Sequence, residues 1–384
     1  KLQKLAGLER KKIEDELKEI LKYIKELKSL LKSVPKMLAV IKDELLEIKE
    51  RYADERRTRI VEGAVNSIKD EDLIPQKEFA MVYTENGYIK RTDPTEYKSQ
   101  KRGGVGVIDL DTKDDDIVTH FVIANSHSDM LFFSDAGKVY QTKMYDLPEG
   151  RRSTKGKSIK NFLPLEGEEK ITSILSIPKD KELHDLTLLF ATKKGVVKRV
   201  EAEAFKNVRS NGLIAINLKA DDELWSVRLV HEKDESILVT RDGQSIRSHV
   251  SDFRTMGRTA GGVRGIKLKK DDEVVGLGII SHTLESADLL VLTENGYGKR
   301  TAISEYKNQN RGGSGIKTLN VTNKTGRIAG AKIVDTQTEI LAMSQQSQVI
   351  RTSLDSVSKL GRATQGVRVM KLRDGDSVAS LTII

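Results

Sequence analysis

Cysteine is absent from all 384 residues, which excludes disulfides and thiolate metal sites and suits a reducing compartment. Aromatic residues make up only 5% of the chain and tryptophan occurs once, which argues against a surface that grips single-stranded bases by stacking. No apolar run approaches the length of a membrane span, and no segment has the form of a signal peptide. The histidines (His120, His127, His184, His231, His249 and His282) lack ligand-like spacing, and no serine sits in a glycine-flanked nucleophile motif. No catalytic constellation can be assembled from these residues. Lys1 rather than Met opens the chain, the start expected of a fragment or a processed chain.

Charge is present, and it is patterned. Lys and Arg total 66 against 57 acidic residues, a formal net charge of +9. Averaged over the chain that excess is modest, but repeated turns concentrate it. A clustered basic stripe favours a polyanionic partner.

Six units share one internal spacing. Each begins with a short apolar run ending in a turn: Thr84–Gly87, Ser134–Gly137, Thr192–Gly195, Thr240–Gly243, Thr293–Gly296 and Ser344–Ser347. Each continues to a basic turn closing at Gly106, Gly156, Gly212, Gly262, Gly315 or Gly366. The step between the two is 19 residues in five units and 17 in the third. Arg102, Arg152, Arg258, Arg311 and Arg362 stand four residues before the closing glycine, and Arg209 three before. A period near fifty residues built of strands and turns predicts blades arranged radially. Recurrence of an arginine, and not only of an apolar strand, makes the repeated feature a basic surface.

Residues 1–52 differ from the rest. Leu and Ile recur at helical spacing from Leu2 to Val34, and Met37, Leu38, Ile41, Leu45 and Ile48 continue after a break at Pro35. The spacing predicts a helical, coiled-coil arm over 1–52 that needs a partner helix. Residues 53–76 read as a linker, and 77–384 hold the six β units.

Two motifs tempt a sharper reading. Lys155-Gly156-Lys157-Ser158 resembles the end of a P-loop, but five residues separate Gly150 from Gly156 where the motif needs four. Asp114-Asp115-Asp116, Asp221-Asp222-Glu223, Asp271-Asp272-Glu273 and Asp374-Gly375-Asp376 suggest metal ligands, yet repeated acidic turns are more simply solvated hairpin tips. The densest candidate site is Gln100-Lys101-Arg102-Gly103-Gly104-Val105-Gly106, where glycines let the backbone approach a phosphate. Gln309-Asn310-Arg311-Gly312-Gly313-Ser314-Gly315 repeats it.

This segment resembles the Gln-Arg-Arg-Gly-Gly-Lys-Gly box of the DNA gyrase A-subunit family, within its DNA-wrapping C-terminal domain. Tyr83-Thr84-Glu85-Asn86-Gly87-Tyr88 and Glu55-Arg56-Arg57-Thr58 agree with the box's flanks. Leu5-Ala6-Gly7-Leu8-Glu9-Arg10 is similar to the returning arm of the family's coiled coil. Lys101 and Val105 depart from the box, each where a basic residue is usual and Arg is the rule at the first. The resemblance implies a mainly β fold, a six-bladed β-pinwheel preceded by an α-helical coiled-coil segment. It implies duplex DNA bent and wrapped around a basic outer rim, so that an A2B2 holoenzyme with the gyrase B subunit introduces negative supercoils. ATP and Mg²⁺ would belong to that partner subunit, with no cofactor or metal in this chain. The DNA-cleaving tyrosine would lie N-terminal to anything present, dimerisation would run through the full-length gyrase A protein, and the location would be the bacterial cytoplasm. The candidate DNA-contacting residues are Gln100, Lys101, Arg102, Gly103, Gly104 and Gly106 of the box. Around the other units they are Lys90, Arg91, Arg151, Arg152, Lys155, Lys157, Arg209, Arg258, Arg264, Lys299, Arg300, Arg311, Gly312, Gly313, Arg351, Arg362 and Arg368. Two alternatives stay open: the corresponding domain of topoisomerase IV, and a non-catalytic protein-interaction propeller.

Overall fold

The computed structural model describes residues 2–54, 73–97, 116, 118–151, 154–178, 183–209, 211–335, 339–345 and 348–383. Two helices come first, α1 (Leu2–Leu31) and α2 (Val34–Tyr52). Pro35 falls in the first turn of α2, where a missing N–H forfeits no helical bond, so it starts a helix rather than interrupting one. The apolar stripe is exposed: Ile13, Leu17, Ile20, Leu21, Ile24 and Leu27 are between 40% and 66% accessible. A helix gains most of its stability by burying such a stripe, so this face is available to a partner surface.

The rest of the described chain is β, in six antiparallel sheets that act as blades, one per repeat. In the fourth blade, strand Glu235–Thr240 turns into Gln244–His249 and pairs on its other side with Val274–Ile280. The last strand of that sheet, Ile316–Lys317, comes from the fifth repeat. The same donation to the preceding blade recurs at Lys157–Ser158, Leu213–Ile214, Val263–Arg264 and Val367–Arg368. This strand exchange is the pinwheel arrangement expected from the resemblance.

Strands such as Leu186–Thr192 are buried along their whole length because blades cover both faces, which is why they read as unbroken apolar runs. The cores accordingly lie between blades. Leu131 and Phe133 of the second blade meet Leu188, Phe190 and Phe205 of the third. Phe133 stands edge-on to Phe190 and Phe205, with centroids 5.6 and 6.0 Å away. Successive blades also pack through Val118–Asn125, Ile171–Ile177, Leu224–His231, Val274–Ile280, Ile328–Val334 and Val378–Ile383. These six form the inner edge of each sheet, which leaves the exchanged strands at the outer edge. A bulge beside each hairpin turn, as at Val239/Thr240, adds local twist.

Candidate nucleic-acid interface

The hairpin turns are closed by their first residue. The Thr240 carbonyl accepts the Gly243 N–H at 3.1 Å and its hydroxyl accepts the Gln244 N–H at 3.2 Å. Thr84, Ser134, Thr192 and Thr293 repeat the second bond. The acidic tips fasten the same turns: Asp272 accepts from the Asp242 N–H at 2.9 Å, Asp222 from Lys194 at 3.0 Å and Asp116 from Asn86 at 3.1 Å. They are turn caps rather than plain solvated tips. Among the described residues no group of three or more His, Asp or Glu is placed to hold a metal ion. Asp114 and Asp115 lie outside the described residues.

The basic turns end where the incoming chain crosses the preceding blade. At Gly315, with φ +71°, a Cβ would stand 2.4 Å from the Ser245 carbonyl oxygen. At Gly156 it would stand 2.5 Å from that of Ile89. Only glycine fits this crossing, which sets up the exchanged strand. The box-like copy in the fifth repeat is tied down similarly. Gly312 donates its N–H to the Gly265 carbonyl at 2.6 Å, and the Gly313 carbonyl accepts from Lys267 at 2.8 Å. Geometry thus accounts for the glycines, and it leaves the arginines unexplained.

The cations divide into three groups. Arg151, Lys157, Arg209, Arg264, Arg311 and Arg368 are exposed on the basic turns or the exchanged strands, at the outer edge of their blades. Arg311 is steadied by a 3.0 Å bond from Nε to the Asp252 carbonyl. Arg368 donates to the Tyr297 hydroxyl at 2.9 Å, and Lys155 lies 4.3 Å from the Tyr88 ring centroid. Arg258 and Arg362 are half-buried in the same turns.

The second group faces carboxylates. Arg91 pairs with Glu149 at 3.3 Å and lies over the Phe79 ring. Arg300 has Asp288 and Asp355 within 4.0 Å, and Arg351 donates to Glu339. Their charge is largely neutralised within the fold.

The third group is internal. Lys90 and Lys299 are 1% and 0% accessible, and their ammonium groups reach into the next repeat's basic turn. Lys90 Nζ donates to the Thr154 carbonyl at 3.1 Å, and Lys299 Nζ to those of Gly361 and Arg362, both at 2.6 Å. Lys198, which sequence reasoning passed over, does the same with the Arg258 carbonyl and also donates to that of Ala215 in its own repeat. Burial pushes the Lys198 and Lys299 ammonium pKa down to about 8. Gln100, Lys101, Arg102, Gly103, Gly104, Gly106 and Arg152 lie outside the described residues.

Sequence reasoning also missed Lys317. It is exposed on the exchanged strand, two residues after Gly315, as Arg264 and Arg368 are two after Gly262 and Gly366. That offset was the available signal. Repeating cations at the outer sheet edges can attract a polyanion along a curved path. They offer no base-reading set, so such attraction is sequence-tolerant.

Six segments of the chain (79–125, 128–178, 187–231, 234–281, 287–335 and 338–384) match the model of the DNA gyrase C-terminal domain, a β-propeller. The gyrase A protein of Staphylococcus epidermidis is 44% identical over 381 residues, covering 99% of this chain and 42% of that protein. Its Staphylococcus aureus counterpart is 41% identical, covering 99% and 43%. The chain therefore spans less than half the length of these relatives. Among solved structures, a DNA gyrase A C-terminal domain matches with TM-score 0.66 and 30% identity, covering 80% of this chain and 99% of that one. A topoisomerase IV C-terminal domain matches with TM-score 0.68 and 26% identity, covering 81% and 94%.

Proposed function

Since the chain belongs to the DNA gyrase A C-terminal β-propeller family, we propose that its pinwheel binds duplex DNA along the outer rim and bends it into a wrap. The observation that carries this reading is the recurrence of Arg264, Lys317 and Arg368 at one register position on successive exchanged strands, all exposed. Cations on a curved rim gain affinity by releasing counterions from the phosphates. Bending a short duplex by 40–90° costs on the order of 1–6 kcal/mol, so no single contact suffices and several blades must act together. Arg151, Lys157, Arg209 and Arg311 extend the track, and the box residues Gln100–Gly106 fasten one end of it.

The wrap serves a larger enzyme. In an A2B2 assembly with a B subunit that binds ATP and Mg²⁺, a wrap of fixed hand presents a nearby duplex for passage and yields negative supercoils. The corresponding topoisomerase IV reading has support in the fit to that enzyme's C-terminal domain. One experiment separates them. Nicked circular duplex is incubated with the chain, ligated and deproteinised, and the linking-number change is counted per bound molecule. A one-directional shift, abolished when Gln100–Gly106 becomes alanine, is expected for the gyrase role. Tight binding without a shift supports the topoisomerase IV role, and neither binding nor shift overturns the DNA-wrapping assignment.

A further inference from the structure

The inner strands hold a second basic cluster that the rim does not use. Counted from the bulge, Arg228 of the third blade and Lys332 of the fifth occupy the same register position on Leu224–His231 and Ile328–Val334. The corresponding residue of the fourth blade is Gly278. His120 of the first blade stands two residues earlier on its own inner strand, at a register that is serine or glycine in the other five: Ser173, Ser226, Gly276, Gly330 and Ser380. Arg228 lies within electrostatic reach of both Lys332 and His120. Side chains from the first, third and fifth blades can meet only across the axis, because another blade separates each from the next.

Several buried or half-buried arginines of the pinwheel have carboxylate partners: Arg91 with Glu149, Arg199 with Glu232, Arg241 with Glu273 and Glu294, Arg247 with Glu235. Arg228 has none among the described residues. Among the described residues its guanidinium makes one bond, to the Val227 carbonyl at 3.3 Å. The Lys332 ammonium makes no hydrogen bond or ion pair among the described residues. Both are surrounded by protein while keeping some accessible surface. Close by in register, the Ser380 hydroxyl is buried without a hydrogen-bond partner. Two enclosed cations within electrostatic reach of one another, with no carboxylate partner among the described residues, define a site short of negative charge.

We propose that Arg228 and Lys332, with Ser380 as a further donor, form an anion site on the pinwheel axis that takes a phosphate-type oxyanion. Arg228 supplies a planar fork of N–H donors matched to two phosphate oxygens, and Lys332 supplies a point charge. The His120 ring lines the site without adding charge, since burial holds its pKa down at about 4. Burial, and then the Arg228 charge, push the Lys332 ammonium down to about 8, a cost that a bound anion would relieve. The exposed rim cations are separate from this site, so it stands or falls independently of DNA wrapping.

The test uses the full chain without DNA, in chloride buffers of matched ionic strength. Orthophosphate and tripolyphosphate are titrated separately while the thermal midpoint and the ³¹P linewidth are followed. A saturable rise in midpoint with either probe is expected, because a ligand selective for the folded state stabilises it. The double variant Arg228→Met, Lys332→Met should raise the apparent Kd at least tenfold, whereas Lys269→Met, Lys371→Met, exposed and away from both sites' named residues, should leave it unchanged. If the double variant folds poorly, Lys332→Gln alone must weaken binding by at least threefold. Absence of a saturable response in the parent, or an equal response in the axial variants, overturns the proposal.

Discussion

Lys299 of the fifth blade holds Gly361 and Arg362 of the sixth repeat's basic turn, donating from one ammonium to both carbonyls at 2.6 Å. A third acceptor, the Thr364 hydroxyl, lies at 3.1 Å. The turn that carries the rim arginine is therefore shaped from beneath by a buried lysine of the blade before it. Lys90 and Lys198 act on their neighbours in the same way.

Removing this clasp should cost stability and leave DNA contacts counted by salt almost intact. Lys299→Met removes the donor to the Gly361 and Arg362 carbonyls, and hydrogen bonds from a charged group contribute about 1.5–3 kcal/mol each. The urea midpoint should fall accordingly, while the slope of log K against log salt for duplex binding stays as in the parent. Arg264→Met should do the reverse, lowering the slope magnitude by about 1 with little change in midpoint. A reduced salt slope in Lys299→Met would place that ammonium on the DNA after all.

The closing glycines invite a sharper steric test. Gly315→Ala forces a Cβ onto the Ser245 carbonyl at positive φ, so destabilisation well beyond ~1 kcal/mol is expected. Gly257 has no atom within 4 Å of a built Cβ and an ordinary φ, so Gly257→Ala should be neutral or slightly stabilising. Chemical denaturation of the two variants side by side checks the contrast.

The sequence announced the blades because both the turn and the crossing impose residue types. Thr240 and Gly243 close a hairpin, and Gly262 permits a crossing, so their spacing survives in the chain as a period. What it concealed was the division of labour among cations. Lys299 and Arg300 are adjacent on one strand, yet one points into the blade interface and the other meets Asp288. Alternation predicts opposite faces, but it does not reveal which acceptors a later repeat will bring. Lys317 is a lysine where Arg264 and Arg368 are arginine and Ser158 and Ile214 are neutral, so no single recurring residue type marks that position two residues after the closing glycine. The axial pair Arg228 and Lys332 sits in different repeats with no shared motif, so only the assembled ring brings them together.

Acid should weaken the first blade interface in a defined window. His120 Nε2 donates to the Thr172 carbonyl at 3.2 Å, and burial lowers its pKa to about 4, against about 6.5 when unfolded. Between those values the unfolded chain binds a proton that the folded chain refuses, so stability falls as pH falls from 6.5 to 4. The loss reaches up to roughly 3 kcal/mol across the window. In urea titrations at pH 7 and pH 5, the parent should lose more stability than His120→Gln. Equal losses would remove His120 as the cause.

Ser158 of the second repeat and Ile214 of the third interrupt the row of cations, and filling the second gap gives the most direct gain-of-function test of the wrap. Where the fourth, fifth and sixth repeats place Arg264, Lys317 and Arg368 on the exchanged strand, the third places Ile214, 53% exposed. An exposed isoleucine there contributes nothing to the core, so Ile214→Arg should fold with unchanged stability. If duplex follows the outer edges of successive sheets, the new cation meets a phosphate already close to its neighbours. The magnitude of the salt slope should then increase by about 0.9, the value for one further phosphate neutralised on duplex DNA. Affinity should rise for long duplexes that reach several blades and hardly at all for those that reach only one. A uniform rise with every duplex length would signal general charge attraction instead, and no rise at all would route the DNA away from the exchanged strands.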